Sequence, residues 1–132
     1  MNMNLLKYWP LYLGLLLLLQ ACGGQQHQVA VSPGEGEKTL VVKASSFTFE
    51  PNNIKAFSGD VILLKIENTS GSSHNFTIKD PQGNVLQSTV LPAGKTTDVE
   101  IMLPKKGMYD FYCDKPFHSA FGMKGRIEAV DR

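Results

Sequence analysis

From Thr39 onward the chain is written in short runs that alternate apolar and polar residues, each cut off by proline, glycine, asparagine or serine. Ile62, Leu64 and Ile66 share one face of Val61 to Glu67, and Val99, Ile101 and Leu103 alternate with Asp98, Glu100 and Met102. Tyr109, Phe111 and Cys113 again share parity. A period of two sends successive side chains to opposite sides of an extended strand, so each run has one face to bury and one to leave in water. The breaks are equally regular: Pro51-Asn52-Asn53, Ser58-Gly59-Asp60, Asn68 to Ser73, Asp80 to Gly83, and Pro104 to Gly107. Leu40 to Val42 opens the series, Phe47 alternates with Phe49, Val85 to Leu91 reads as an irregular segment or short strand, and Gly125 to Val130 closes it. Helix periodicity is not sustained anywhere in this region. The pattern predicts an all-β domain, seven to eight strands packed as a two-sheet sandwich.

The first part of the chain obeys a different rule. Lys7 precedes an apolar run from Leu11 to Leu19, too short and too early for an ordinary membrane span, as expected of a secretion signal. Its end, Leu19-Gln20-Ala21-Cys22-Gly23, resembles the bacterial lipoprotein cleavage box, in which the cysteine becomes the new N-terminus and carries lipid. Lipid on Cys22 would anchor the protein, since each buried methylene contributes about 0.8 kcal/mol. The expected division is therefore a signal peptide over 1–21, a lipidated Cys22 and flexible tether over 22–37, and one folded domain over 38–132. His27 falls in the tether and is read as an exposed tail residue. Without Lys7 the formal charge is 12 basic against 12 acidic side chains, which offers no electrostatic footprint for nucleic acid.

If Cys22 is lipidated, Cys113 is left as a lone thiol in an oxidising compartment, where it must be inert in a core or held by a metal. Its neighbours favour the metal. Cys113, His118 and Met123 follow the spacing C-x4-H-x4-M, and His74, thirty-nine residues before Cys113, begins a strand on the face shared by Phe76 and Ile78. Each of these residues alone would more often be structural. Together they offer a thiolate, two imidazoles and a thioether, soft donors that suit copper. The thiolate and imidazoles can form an approximately trigonal plane with the thioether as a weak axial donor, and a shell supplied wholly by protein leaves no position for substrate. Electron transfer is therefore expected rather than catalysis. A copper oxidase would need further histidines, and a binuclear centre a second cysteine in the ligand loop. Pro116 stiffens that loop.

The same residues carry a family resemblance. Phe47-Thr48-Phe49-Glu50-Pro51, Gly59-Asp60, His74-Asn75, Tyr112-Cys113-Asp114-Lys115-Pro116-Phe117-His118 and Gly122-Met123-Lys124-Gly125 are similar to the cupredoxins, the blue copper proteins related to plastocyanin and azurin. The ligand-loop spacing is like that of auracyanin-type members. The resemblance implies a Greek-key sandwich holding one type 1 copper ion near one end, cycling between Cu(I) and Cu(II), with ligands matching His74, Cys113, His118 and Met123. It implies that Asn75 hydrogen-bonds the loop carrying Cys113. It further implies that the His118 edge reaches the surface through an apolar patch of Phe117, Ala120, Phe121 and Gly122, on which redox donor and acceptor proteins dock transiently. Lys115 and Lys124, near the same end, could steer an acidic partner. The expected whole is an exported, lipid-anchored monomer that carries electrons and is not an enzyme. The alternative is a copper lipoprotein that stores, senses or delivers the metal.

Overall fold

The computed structural model describes residues 28–30 and 38–132. The apolar leader, Cys22 and His27 lie outside the described residues. The strands in chain order are β1 (Gln28–Ala30), β2 (Lys38–Ser45), β3 (Thr48–Glu50), β4 (Asn53–Phe57), β5 (Val61–Asn68), β6 (His74–Lys79), β7 (Val85–Leu91), β8 (Thr96–Met102), β9 (Gly107–Tyr112) and β10 (Lys124–Val130). Six form one sheet in the order β1-β4-β10-β9-β6-β7, and four form the other in the order β3-β2-β5-β8. Among the described residues there is no helix.

The all-β sandwich is the architecture the alternating runs predict, with ten strands among the described residues rather than seven or eight. The difference has a physical cause. β1 and β3 have three residues each, too few for alternation to register. β1 lies in the stretch read as tether, yet pairs in parallel with β4 through Gln28↔Asn53 to Ala30↔Lys55. Val85–Leu91 is a complete strand on β6, irregular only where the register shifts between Ile78 and Lys79. As the edge of its sheet it needs to bury little, and Val85, Leu86 and Val90 stay exposed.

The core is what the period of two delivers. Ile62, Leu64 and Ile66 from β5 and Val99 and Ile101 from β8 face Ile127 and Ala129 from β10 and Tyr109 and Phe111 from β9, all buried. At one end three aromatic rings interlock. Phe76 stacks on Phe111 with centroids 5.0 Å apart, and Phe49 meets them edge-on at 5.8 and 5.6 Å. β6 and β9 are antiparallel neighbours through Thr77↔Tyr112 and Ile78↔Phe111. His74 lies two residues before Phe76 and Cys113 two after Phe111, so the ring cluster is the floor on which both stand. Gly125 lets β10 approach this floor: a Cβ there would collide with the Asn52 carbonyl and the Phe111 ring.

Asp60 ties down the opposite end. It is buried, and its carboxylate takes an ion pair from Lys38, one from Arg132 at 2.6 Å, and a hydrogen bond from the Phe57 amide at 3.2 Å. Burial opposes its ionisation, but Lys38, the Phe57 amide and Arg132 outweigh burial and hold its pKa below the usual 3.8. A carboxylate with a depressed folded pKa adds stability that is present above the unfolded value and lost as pH falls through that value toward the folded one. Asp60→Ala is thus expected to remove about 3 kcal/mol at pH 7, most of it from leaving Lys38 buried and unpaired. The gap to wild type should narrow as pH falls below the ordinary carboxylate range. Urea unfolding at neutral and acid pH checks this, and a gap that widens in acid would contradict it.

Candidate metal centre

The three donors nearest one another come from the start of β6, the end of β9 and the loop that follows it. His74 opens β6 and is buried, Cys113 follows β9 and is fully buried, and His118 is half-buried in the loop that returns to β10. Their ligand atoms all lie within 4.8 Å of one another. The His118 Nδ1 stands 3.2 Å from His74 Nδ1 and 3.5 Å from Cys113 Sγ. Donors bonded at about 2.0–2.3 Å to one ion stand roughly 3–4 Å apart, so the spacing fits a shared metal. Cys113 is the only cysteine among the described residues and is in no disulfide.

Met123 is fully buried and is tied by backbone to both neighbours of the trio. Its amide donates to the His118 carbonyl at 2.9 Å, and its carbonyl accepts from the Cys113 amide at 3.0 Å. The loop between is wound by local hydrogen bonds: His118 N to Lys115 O, Phe121 N to Phe117 O, and Gly122 N to Ser119 O. Pro116 is second in the turn Lys115 to His118, and Phe117 is third with φ of 68°. Proline followed by a left-handed residue is the type II pattern, so Pro116 shapes the turn that delivers His118. An aromatic residue in a left-handed conformation is uncommon, and here it carries the Phe117 ring into solvent, 74% exposed.

The electrostatics favour a neutral imidazole at His74. Burial lowers its pKa below the usual 6.5, and the nearby His118 and Lys115 charges lower it further. A neutral ring keeps a lone pair for a metal.

Side-chain hydrogen bonds lock the two strands together beside the donors. Asn75 Oδ1 accepts from the Asp114 amide at 2.9 Å, and Asn75 Nδ2 donates back to the Asp114 carboxylate. Thr77 Oγ1 donates to the same carboxylate at 3.1 Å. Asp114 is thus a carboxylate fixed next to the Cys113 thiol, and nothing about its place in the sequence singles it out. Lys115 donates to the Ser73 carbonyl and to Ser73 Oγ, the latter at 3.0 Å, so it clasps the turn before His74 instead of projecting freely toward a partner.

The apolar surface is wider than the sequence indicates. Phe121 is 69% exposed, and Ala120 and Gly122 are exposed beside it. Phe47 joins them from the β2–β3 turn: its ring meets His118 at 5.0 Å and Phe121 at 5.4 Å, both edge-on. Sequence parity pairs Phe47 with the core residue Phe49, but Phe47 has φ of 63° and is 39% exposed. The left-handed turn swings it out of the strand pattern and over the imidazole.

A family model described as a cupredoxin-like domain matches residues 12–128. The chain belongs to this family. Among its cupredoxin relatives, plastocyanin A/B of Petroselinum crispum is 32% identical over 87 residues, covering 60% of this chain and 84% of the relative. Reduced auracyanin from the photosynthetic bacterium Roseiflexus castenholzii superposes with a TM-score of 0.61 at 20% identity, covering 70% of this chain and 97% of that one. The metal-binding domain of a Cu(I)-exporting P-type ATPase from Streptococcus pneumoniae, solved with Cu(I), superposes with a TM-score of 0.62 at 15% identity, covering 82% and 100%. At such identities the two structures share the cupredoxin fold with this chain, and the fold alone serves more than one task.

Proposed function

We propose that the protein carries single electrons on one type 1 copper ion held by His74, Cys113, His118 and Met123, and that it is not an enzyme. The observation that carries this reading is the convergence of a buried cysteine sulfur and two imidazoles, all from protein, beside an exposed apolar surface. Bound copper supplies a one-electron couple, and the chain supplies the rest. Cys113 would hold the ion through its sulfur, and His74 and His118 through ring nitrogens, at a spacing set by the packed strands. The donors are held by β6, β9 and a hydrogen-bonded loop, so the chain would keep them in place in both oxidation states of a bound ion. The His118 ring turns Nδ1 toward the other donors and meets the Phe47 ring, which in turn meets Phe121, and Phe117, Ala120 and Gly122 are exposed in the same loop. This apolar patch offers a redox partner a dry contact and a short path. The apolar leader and Cys22 support export with a lipid anchor, facing the periplasm or cell exterior, and the residues between Cys22 and β1 then act as the tether.

Repeated electrochemical reduction and reoxidation of the copper-loaded protein, with a Cu(I) chelator present, tests the reading. The expected result is one electron per chain, with the visible band bleaching and returning in full. Loss of copper to the chelator on each reduction would favour storage or delivery instead.

Met123→Leu separates tuning of the potential from copper binding. Leucine conserves the buried volume at a cost below about 1.5 kcal/mol, so the domain stays folded. The thiolate band should persist, and the potential should rise on the order of 60 mV, about tenfold in a one-electron equilibrium. The rise follows because the thioether stabilises the oxidised ion more than the reduced one. An unchanged or lower potential, read by voltammetry, would remove Met123 from the ligand set.

A further inference from the structure

The Asn68 to Ser73 turn does more than close β5. Asn68 occupies the last inward position of that strand, following Ile62, Leu64 and Ile66, and is 2% exposed. Its Nδ2 lies 2.9 Å from the carbonyls of Ser72 and Leu91 and 3.2 Å from that of Pro92. Three carbonyls around one end of the amide fix its orientation, since only the NH₂ can donate. Oδ1 is therefore the end that faces Ser70, accepting from the Ser70 amide at 3.0 Å and standing 2.8 Å from Ser70 Oγ.

Ser70 Oγ has two further neighbours in its own turn, the Ser72 carbonyl at 2.9 Å and the Ser72 amide at 3.3 Å. Its last contact is His74 Nε2, at 2.8 Å. A serine hydroxyl has one proton and two lone pairs. Two of the four neighbours, Asn68 Oδ1 and the Ser72 carbonyl, can only accept, so the proton goes to one of them. The Ser72 amide can only donate. The arrangement is satisfied when His74 Nε2 also carries a hydrogen and gives it to Ser70 Oγ. The opposite tautomer would set Nε2 competing with two oxygens for a single proton.

We propose that Ser70, oriented by Asn68, is a positioning residue that fixes His74 as its Nε2–H tautomer and presents the Nδ1 lone pair to the donor centre. His74 Nδ1 is indeed the atom that faces His118 Nδ1 across 3.2 Å. A metal-bound imidazole is commonly held through its other nitrogen. In this chain a side-chain hydroxyl makes that contact, so a single substitution can delete it without touching the backbone. The inference rests on the reading of His74 as a copper ligand, but its first test needs no metal.

That test is the ¹⁵N chemical shifts of the His74 ring in the metal-free protein, for wild type, Ser70→Ala and Ser70→Thr. Wild type should show a protonated Nε2 and an unprotonated Nδ1. Ser70→Ala should move both signals toward tautomer averaging, and Ser70→Thr, which keeps the hydroxyl, should restore them. Copper(II) affinity should fall roughly 10- to 100-fold in the alanine variant and recover in the threonine variant. A wild-type ring protonated at Nδ1, or an alanine variant with wild-type shifts and wild-type affinity, would overturn the proposal. If Ser70→Ala fails to fold, the wild-type and threonine spectra still decide the tautomer. If the wild-type shifts are as expected but the protein takes up no copper, the copper reading fails while the assignment of Ser70 to His74 stands.

Discussion

Cys113→Ser should abolish the strong visible band of the copper-loaded protein and weaken copper binding at least a thousandfold, about 4 kcal/mol. The band requires a thiolate bonded to the ion, and no other cysteine among the described residues can replace it. Serine offers a hydroxyl that stays protonated at neutral pH and is a harder donor, poorly matched to copper in its reduced state. The fold should survive, because serine has the shape of cysteine, is slightly smaller and fits the same buried space. Visible spectra, a copper titration and thermal unfolding of the metal-free variant together check this. A colourless but folded variant is expected. A variant that keeps the band would place the charge-transfer donor elsewhere.

Phe111→Ala should have the largest effect on stability. Phe111 is fully buried, stacks on Phe76 at 5.0 Å and meets Phe49 at 5.6 Å. Truncating a buried phenylalanine costs about 3–5 kcal/mol through lost transfer energy and the cavity left behind. The ring contacts add to that. Against a typical total of 5–15 kcal/mol, this removes a large part of the stability, and at about 4–8 °C per kcal/mol the midpoint should fall by 12 °C or more. The same ring sits two residues from Cys113 and against the strand that begins with His74. Copper binding to the variant should therefore weaken as well, even with all donors present. Copper binds only the folded form and will mask part of the loss, so the comparison belongs in metal-free protein. A loss below about 1 kcal/mol would mean that the ring cluster is not the floor of the site.

How legible these features are depends on how local their causes are. The sandwich is written in strict alternation along β5, β8 and β9, because each strand has one buried and one wet face. Cys113, His118 and Met123 are readable because one loop carries them, and His74 because it shares parity with Phe76. Asp114, Ser70 and the Lys115 clasp are not readable. Their meaning lies in hydrogen bonds to partners brought close by the turns and by the β6–β9 register, and such bonds leave no period in a sequence. Asn68 does leave a trace, since a polar amide on the apolar parity of β5 calls for buried partners. Phe47 misleads for the opposite reason: its neighbours suggest a core strand, while its left-handed backbone turns it outward. β1 and β7 are obscured by shortness and by edge exposure.

The most direct test of the central claim is copper K-edge X-ray absorption on the oxidised and the reduced protein. The expected first shell contains one short sulfur bond and two imidazole nitrogens in both states, with only small changes in distance between them. A shell without the sulfur, or one that gains or loses a ligand on reduction, would contradict the proposal that His74, Cys113 and His118 hold one ion in a fixed geometry for electron transfer.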